Sequence, residues 1–354
     1  MIELTNFCNF SCSFCTSDSM KRKKTNMPQD LWKKILRELG EKKMTQVVFF
    51  HLLGEPLLHK DIYEAIRFAN SYGLSVSLYT NGALLDTTRT EMLLDALKIG
   101  RVVLSLQIAD PESFYIRSRG VLSWQTYIER LQDFIVNATS LETPIPVQIH
   151  YLANVRGRGW NIVKIIQEQK IIQKIYDEWQ ETEGGRKRYK INIFNPAASY
   201  PLGSNASFFV KHMGTWDNKH IPDNMDVILR DRGHCDLMTD TFAILADGTC
   251  TYCCCDYEGE LNLGNVHQST LEDIYYGKKA TAIREAEKKG RLIEEQCMVC
   301  RGSLVYKKSR KQVPSSNILT EYYYFRDHFR RYGLKSACRK AVENFERRIS
   351  ILFK

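Results

Sequence analysis

The first 200 residues alternate between short apolar runs and stretches whose apolar residues recur with the helical period. The short runs are rich in β-branched residues and end at turn residues, which predicts buried strands separated by helices. The predicted strands are Ile2–Thr5, Gln46–His51, Leu74–Tyr79, Val102–Leu106, Val147–Tyr151 and Tyr189–Phe194. These units predict a parallel sheet covered by helices, either doubly wound or an incomplete β/α barrel, and both place ligands at the C-terminal strand ends.

The pattern changes after this first region, which we assign to residues 1–200. Residues 201–234 contain prolines, glycines and few apolar runs, which predicts a linker. A short apolar run, a turn at Asp247-Gly248 and an amphipathic helical pattern predict a small α+β domain over residues 235–305. Residues 306–354 carry an apolar stripe at helical spacing and are predicted to form a basic helical tail.

The excess of basic over acidic residues lies entirely near the C-terminus of the chain. Lys and Arg number 50 against 41 Asp and Glu overall, but 14 against 4 in residues 301–354, which leaves 36 against 37 in the rest. A basic nucleic-acid groove in the first 300 residues is therefore not expected. No apolar run approaches the roughly 18 residues of a membrane span, and no signal-peptide pattern is seen, so we expect a cytoplasmic protein.

The 11 cysteines are the main chemical signal of the sequence. In a reducing compartment, clustered cysteines bind metals or cofactors more often than they form disulfides. One group is Cys8, Cys12 and Cys15, a second is Cys235, Cys250 and Cys253–Cys255, a third is Cys297 and Cys300, and Cys338 stands alone.

The first group, Cys8-x3-Cys12-x2-Cys15, directly follows the first predicted strand. Three closely spaced thiolates can hold three irons of a [4Fe–4S] cluster and leave the fourth iron open to a chelating ligand. A zinc site or a group of free cysteines is the alternative. It is the weaker one, because no fourth thiol follows within 200 residues and exposed thiols are oxidised readily.

This first group resembles the C-x3-C-x-aromatic-C motif of the radical S-adenosylmethionine (SAM) superfamily, with Phe14 at the aromatic position. Gly54-Glu55-Pro56 resembles the family segment that receives the methionine amino group of SAM. Asn81, Ser105 and Gln107 resemble further positions that line SAM, although Asn81-Gly82 also reads as an ordinary turn.

The resemblance covers about residues 1–200 and implies a partial (β/α)6 barrel that binds SAM and a [4Fe–4S] cluster. In this family the cluster donates an electron to SAM, and the resulting 5′-deoxyadenosyl radical removes a hydrogen atom from a C–H bond. A flavodoxin- or ferredoxin-type protein is the expected reductant.

Cys235, Cys253, Cys297 and Cys300 are spaced as four ligands of either a zinc ion or a cluster. With Gly248 between the first two, they resemble the auxiliary-cluster domains called SPASM and twitch. A full SPASM set has two further cysteines, but Tyr306 stands at the first of those positions. The resemblance therefore implies one auxiliary [4Fe–4S] cluster.

The remaining cysteines of the second group have no assigned ligand role. If the strand continues through this segment, Cys253 and Cys255 share a face, so Cys255 is an alternative ligand or a thiol hydrogen donor. Cys250, Cys254 and Cys338 are expected to be buried in cores.

A fully ligated auxiliary cluster can accept the electron of a substrate radical, so the leading hypothesis is oxidation of a sugar-like compound, an aminocyclitol or another polar metabolite. Such a reaction needs a base. His150, Tyr151 and the segment Asn195–Tyr200 are placed where one could lie, but the sequence identifies none of them as the base.

Two alternatives stay open. The first is a maturase that modifies a ribosomally made peptide; Cys8 lies too close to Met1 for an N-terminal recognition domain, so a separate protein would have to recognise the peptide. The second is an iron–sulfur or zinc protein with structural clusters. Its basic tail would then bind an anionic membrane or a partner, or simply pack on the barrel.

Overall fold

The computed structural model describes residues 1–12, 15–107, 111–153, 162–182, 189–195, 198–212, 223–235, 237–238 and 241–309. Strands and helices alternate through the first half of the chain. The strands are β1 (Val47–Phe50), β2 (Ser75–Thr80), β3 (Gly100–Gln107), β4 (Val147–Ala153), β5 (Ser199–Pro201) and β6 (Ala206–His212). The helices are α1 (Gln29–Glu41), α2 (Ile62–Ser71), α3 (Thr87–Ala96), α4 (Pro111–Ser118), α5 (Trp124–Thr139) and α6 (Ile162–Thr182).

These strands form one sheet in the order β1-β2-β3-β4-β6-β5. The pairs from β1 to β6 are parallel, and β5 adds an antiparallel edge. Pro201 fits the edge strand because it lacks an N–H to donate. The sheet is the partial barrel that the sequence predicts.

The two faces of the sheet differ in burial because side chains alternate along each strand. One face is apolar and fully buried under the helices; it carries Phe50, Leu78, Leu104, Ile149 and Phe208. The helices contribute amphipathic faces, such as Leu31, Trp32, Ile35 and Leu36 of α1. The inner face is only half-buried and carries aromatic and basic residues.

The sixth strand of the barrel differs from the prediction. Tyr189–Phe194 forms no strand, because α6 glutamines occupy its main-chain groups: Gln173 bonds Tyr189 O and Ile191 N at 3.0 and 2.8 Å. Gln169 does the same for Ile191 O and Ile193 N at 2.6 and 3.2 Å. The sixth strand is instead β6, within the region predicted as a linker.

The second half of the chain forms a smaller α+β unit. Its elements are β7 (Met225–Ile228), β8 (Ala243–Ile244), β9 (Thr249–Thr251), β10 (Gly264–Asn265), α7 (Leu271–Tyr275), α8 (Lys278–Lys288), α9 (Glu295–Cys300) and β11 (Ser303–Tyr306). Strands β8, β9 and β10 are antiparallel, and β7 pairs with β11. The predicted linker over residues 201–234 therefore contains two strands. The predicted boundary at residue 305 falls inside β11.

A short N-terminal segment joins the two units. Ile2 N donates to Phe49 O at 2.8 Å, and Ile2 forms a parallel bridge with Phe50 beside β1. On its other side, Glu3 N donates to Ile244 O at 2.9 Å. The predicted strand Ile2–Thr5 is thus present as isolated bridges that connect β1 to β8.

A buried ion pair reinforces this junction. The Arg22 guanidinium donates to both carboxylate oxygens of Glu3 at 2.9 and 3.0 Å, and the two side chains are 9% and 0% exposed. The same guanidinium donates to Tyr257 O, and Ala246 N donates to Glu3 at 3.0 Å. The Glu3–Arg22 pair therefore contacts two segments of the smaller unit, one through Ala246 N and one through Tyr257 O.

No helix among the described residues is long and apolar enough to cross a membrane. The structure describes the predicted tail over residues 306–354 only as far as Ser309. The rest of the tail, including Cys338, lies outside the described residues.

Glu3→Gln should lower the free energy of unfolding by about 3 kcal/mol, because it leaves the buried Arg22 guanidinium without its counter-charge. Asp95→Asn breaks the exposed Arg67–Asp95 pair and should cost less than about 0.5 kcal/mol. Urea unfolding of both variants measures the difference. Equal effects would show that the Glu3 pair does not stabilise the junction.

Candidate functional site

The first cysteine group lies on the loop between the N-terminal segment and the short turn Thr16–Asp18. All three thiols are half-buried. Cys15 N donates to Cys12 O at 2.9 Å, and Phe10 N donates to the Cys8 sulfur at 3.4 Å. These bonds curl the loop so that it presents three thiols at the C-terminal edge of the sheet. Phe14 lies outside the described residues.

Gly54-Glu55-Pro56 packs directly against the segment that precedes Cys8. Gly54 has φ +82°, and a Cβ there would lie 2.3 Å from Thr5 O, so a side chain is excluded by both conformation and space. Glu55 N donates to Phe7 O at 2.8 Å. The motif is therefore held beside the cysteine loop by main-chain contact.

The Glu55 carboxylate is buried and fully engaged by its neighbours. It accepts hydrogen bonds from Thr80 Oγ1 at 2.7 Å, Asn81 N at 2.7 Å and Leu57 N at 3.1 Å. Burial raises the pKa of Glu55, and these donors oppose that shift. The carboxylate fastens the end of β2 to the Gly-Glu-Pro segment.

Asn81 acts both as a turn residue and as a contact of the cysteine loop. Its side-chain oxygen accepts from Ala83 N at 2.9 Å. Its Nδ2 donates to Asn9 Oδ1 at 2.8 Å and lies 3.9 Å from the Cys8 sulfur. The structure therefore brings Asn81, Glu55 and Cys8 together.

Ser105 and Gln107 lie at the end of β3, on the half-buried inner face. Gln107 has the left-handed φ of +59°, next to a register shift between β3 and β4. The link between these two residues and the cysteine loop is indirect among the described contacts. The Ser105 carbonyl accepts a hydrogen bond from Arg117 at 3.1 Å, and Arg117 in turn contacts Cys12. Their predicted role in lining SAM stays a prediction.

Arg117 is a residue of this site that the sequence analysis did not identify. Its Nε donates to the Cys12 sulfur at 3.1 Å, and its side chain lies over the Phe10 ring. Nothing in the local sequence separates it from Arg119, which is exposed and paired with Asp18 at 3.2 Å. Only the tertiary structure shows which of the two is buried.

The second site is a cavity that contains all four cysteines predicted as ligands. Cys297 and Cys300 lie one turn apart on α9, which places both on one side of that helix. A fifth thiol, Cys255, lines the same space. The cavity is lined by Cys235, Cys253, Cys255, Cys297 and Cys300, together with Met238, Tyr252, Asp256, Leu261, Gln296 and Arg301.

Two further cysteines, Cys250 and Cys254, pack in hydrophobic cores. Cys250 is fully buried in the main core, and Cys254 packs against Leu52, Ala243 and Leu245. Strand β9 ends at Thr251, so the segment that follows is a turn and not the continuous strand assumed from the sequence. The turn still brings Cys255 to the same cavity as Cys253.

One polar group of this cavity, the Arg301 side chain, fits an anionic iron–sulfur cluster. Its Nε is buried without a hydrogen-bond partner. An N–H buried without an acceptor is costly, and the sulfides and thiolates of a cluster would satisfy the Arg301 donor. Burial raises the pKa values of Cys235 and Cys297, so these thiols keep their protons unless iron binds them. Among the described residues no three His, Cys, Asp or Glu side chains are placed to share one metal ion.

Comparisons with known proteins agree with this arrangement. The family model of the radical SAM superfamily matches residues 2–138, and that of an iron–sulfur cluster-binding domain, SPASM, matches residues 235–301. Residues 2–138 therefore belong to a radical SAM domain, and residues 235–301 belong to a SPASM domain that follows it. A radical SAM domain implies a SAM-binding [4Fe–4S] cluster, and a SPASM domain implies auxiliary iron–sulfur binding.

Among similar proteins is the PqqA peptide cyclase of Bradyrhizobium diazoefficiens, 35% identical over 97 residues, which are 27% of this chain and 25% of that protein. A probable GTP 3',8-cyclase of Methanothermobacter marburgensis is 28% identical over 201 residues, 54% of this chain and 62% of that protein. Both matches cover less than two thirds of the relative. Streptococcus suis SuiB, solved with its precursor peptide SuiA, shares the fold with a TM-score of 0.52 at 16% identity, over 80% of this chain and 65% of that one.

The inner face of the sheet carries a row of rings beside the site. His51 stacks on Tyr79 at 4.2 Å, Tyr79 meets His150 edge-on at 5.9 Å, and His150 meets Phe209 at 5.5 Å. Tyr151 lies on the opposite face, where its hydroxyl donates to Glu168 at 2.5 Å. His150 and Tyr151 are the two β4 residues considered as a base in the sequence analysis. Of the two, only His150 lies on the inner face.

Both inner-face histidines are neutral at physiological pH. Burial lowers the pKa of His51 to about 4. Burial, together with the charge of Lys211, lowers the pKa of His150 to about 3. Each imidazole is therefore a weak base in the folded protein.

Acidification should therefore destabilise the protein. As pH falls below about 6.5, an unfolded histidine takes up a proton that the folded one does not, so each costs about 1 kcal/mol between pH 7 and pH 5.5. His150→Phe, which keeps a ring in place, should remove one such loss, whereas His267→Asn at an exposed position should not. Chemical unfolding at pH 7 and pH 5.5 measures the free energy of unfolding of each variant. If His150→Phe loses as much stability between these pH values as the wild type, the argument that buried His150 causes the loss is wrong.

Proposed function

We propose that this protein is a maturase that uses radical SAM chemistry to cross-link or otherwise modify a peptide. The observation that carries the proposal is the similarity of 97 residues of this chain to a PqqA peptide cyclase. This departs from the leading expectation from the sequence, oxidation of a sugar-like metabolite. That expectation rested on the number of cysteine ligands, which does not select a substrate.

The inner face of the sheet supports a peptide substrate. The row His51, Tyr79, His150 and Phe209 offers ring surfaces for an unsaturated or apolar side chain. Arg101, from the same face, donates to Ser77 Oγ at 2.5 Å and adds a positive charge near Tyr79. Such a wall can hold a side chain in a fixed position while excluding water.

We assign the roles of the chain's residues as follows. Cys8, Cys12 and Cys15 hold the SAM-binding cluster, and the Gly54–Pro56 main chain and Asn81 position SAM beside it. When bound, the cluster and SAM supply a radical that abstracts a hydrogen atom from the substrate. His150 presents a neutral ring to the substrate on the inner face. Cys235, Cys297 and Cys300 hold a single auxiliary cluster, which takes its fourth thiolate from Cys253 or Cys255.

Either thiol of the Cys253–Cys255 turn should suffice for the auxiliary cluster. In a Cys8/Cys12/Cys15→Ala background, Cys253→Ala and Cys255→Ala should each retain about four irons, whereas the double variant should lose them. Cys254→Ala, which alters a thiol outside the cavity, is the matched control. Iron and sulfide analysis after anaerobic reconstitution decides. Loss of iron from Cys253→Ala alone would show that Cys255 is not an alternative ligand.

The proposed reaction is tested with SAM, dithionite and synthetic peptides encoded by short reading frames beside its gene. We expect 5′-deoxyadenosine together with loss of two hydrogen atoms from one peptide, and neither from the Cys8/Cys12/Cys15→Ala variant. Mass spectrometry of the peptides and chromatography of the nucleoside measure both.

A parallel incubation replaces the peptides with a panel of aminocyclitols and sugars. Oxidation of one of these, with no change in any peptide, would overturn the maturase proposal and return the metabolite-oxidising function. Absence of 5′-deoxyadenosine from the wild-type protein under every condition would instead show that the clusters are structural.

A further inference from the structure

Arg117 is a buried cation that forms no salt bridge among the described residues. The residue is 2% exposed, and its terminal nitrogens donate to Leu106 O at 2.8 Å and Ser105 O at 3.1 Å. Its Nε–H is donated to the Cys12 sulfur at 3.1 Å, and the Tyr127 hydroxyl is a further hydrogen-bond partner. The buried Glu55 carboxylate interacts with its charge from beyond ion-pair distance. A guanidinium in such surroundings is costly unless an anion lies directly beside it.

The position of that missing anion is the Cys12 sulfur. Two carbonyls at the end of β3 hold the terminal nitrogens, and the Phe10 ring lies 4.7 Å from the guanidinium carbon. These contacts fix the plane of the guanidinium and aim its Nε at the sulfur. A thiolate bound to iron is a far better acceptor than a neutral thiol.

We propose that Arg117 is a positioning residue that raises the reduction potential of the SAM-binding cluster by holding a positive charge and an N–H donor against its Cys12 ligand. The inference rests on the proposed assignment of Cys8, Cys12 and Cys15 as the ligands of that cluster. It does not depend on which substrate the enzyme modifies.

The direction of the effect follows from charge. One electron from an external reductant is added to the cluster, which becomes more negative by one unit. A fixed positive charge stabilises the reduced form more than the oxidised form, and a low-dielectric site strengthens that difference. Hydrogen bonds to cluster sulfurs act in the same direction. Arg117 therefore makes the cluster easier to reduce.

The test is a redox titration followed by electron paramagnetic resonance, on the full-length, anaerobically reconstituted protein without SAM or substrate. The Cys8/Cys12/Cys15→Ala variant retains only the auxiliary cluster and identifies its signal. Wild type is compared with Arg117→Gln, Arg117→Lys and the matched control Arg119→Gln, which removes an exposed arginine two positions away.

We expect Arg117→Gln to shift the potential of the SAM-binding cluster to a more negative value and to leave the auxiliary cluster unchanged. Arg117→Lys should shift it less, because an ammonium keeps the charge but cannot reproduce the fixed hydrogen bonds of the guanidinium. Arg119→Gln should shift neither.

A fully loaded Arg117→Gln protein with the wild-type potential would overturn the inference, as would an equal shift of both clusters. If Arg117→Gln does not load its first cluster, Arg117→Met, which also removes the charge and the N–H donor, takes its place, and a wild-type potential in that variant overturns the inference. Failure of the ligand assignment is distinguishable, because the triple cysteine variant would then keep both clusters.

Discussion

Main-chain pairing of one short segment connects the two cysteine sites of this protein. The segment around Ile2 bonds β1 on one side and β8 on the other, and the cysteine loop follows directly from its end. The buried ion pair of Glu3 and Arg22 stabilises the same junction through side chains. The first cysteine loop and the unit that contains the second cysteine site are therefore linked by the same few backbone hydrogen bonds.

Features that depend on local spacing could be predicted from the sequence. The triad Cys8, Cys12 and Cys15 and the Gly-Glu-Pro segment are each set within a few residues, and the structure places them side by side. The glycine at position 54 is identified from the same local motif. The structure supplies the reason for it, which is the close approach of Thr5 O.

Features that depend on distant partners could not be predicted in this way. Tyr189–Phe194 has the alternation of a strand, but Gln169 and Gln173 take its main-chain hydrogen bonds. The same limit applies to charge, since only the fold shows that Arg117 is buried while Arg119 is exposed. Cys255 joins the second cavity through a turn that its three-cysteine run does not reveal.

Continuity of β1, the N-terminal segment and β8 also bears on electron movement. Electron tunnelling between redox centres slows steeply as their separation grows, so a hinge between the two units would make that rate vary with every opening motion. Here the connecting element is a short segment bonded to β1 on one side and to β8 on the other, and the buried Glu3–Arg22 pair reinforces it. These main-chain hydrogen bonds and this ion pair resist such an opening motion.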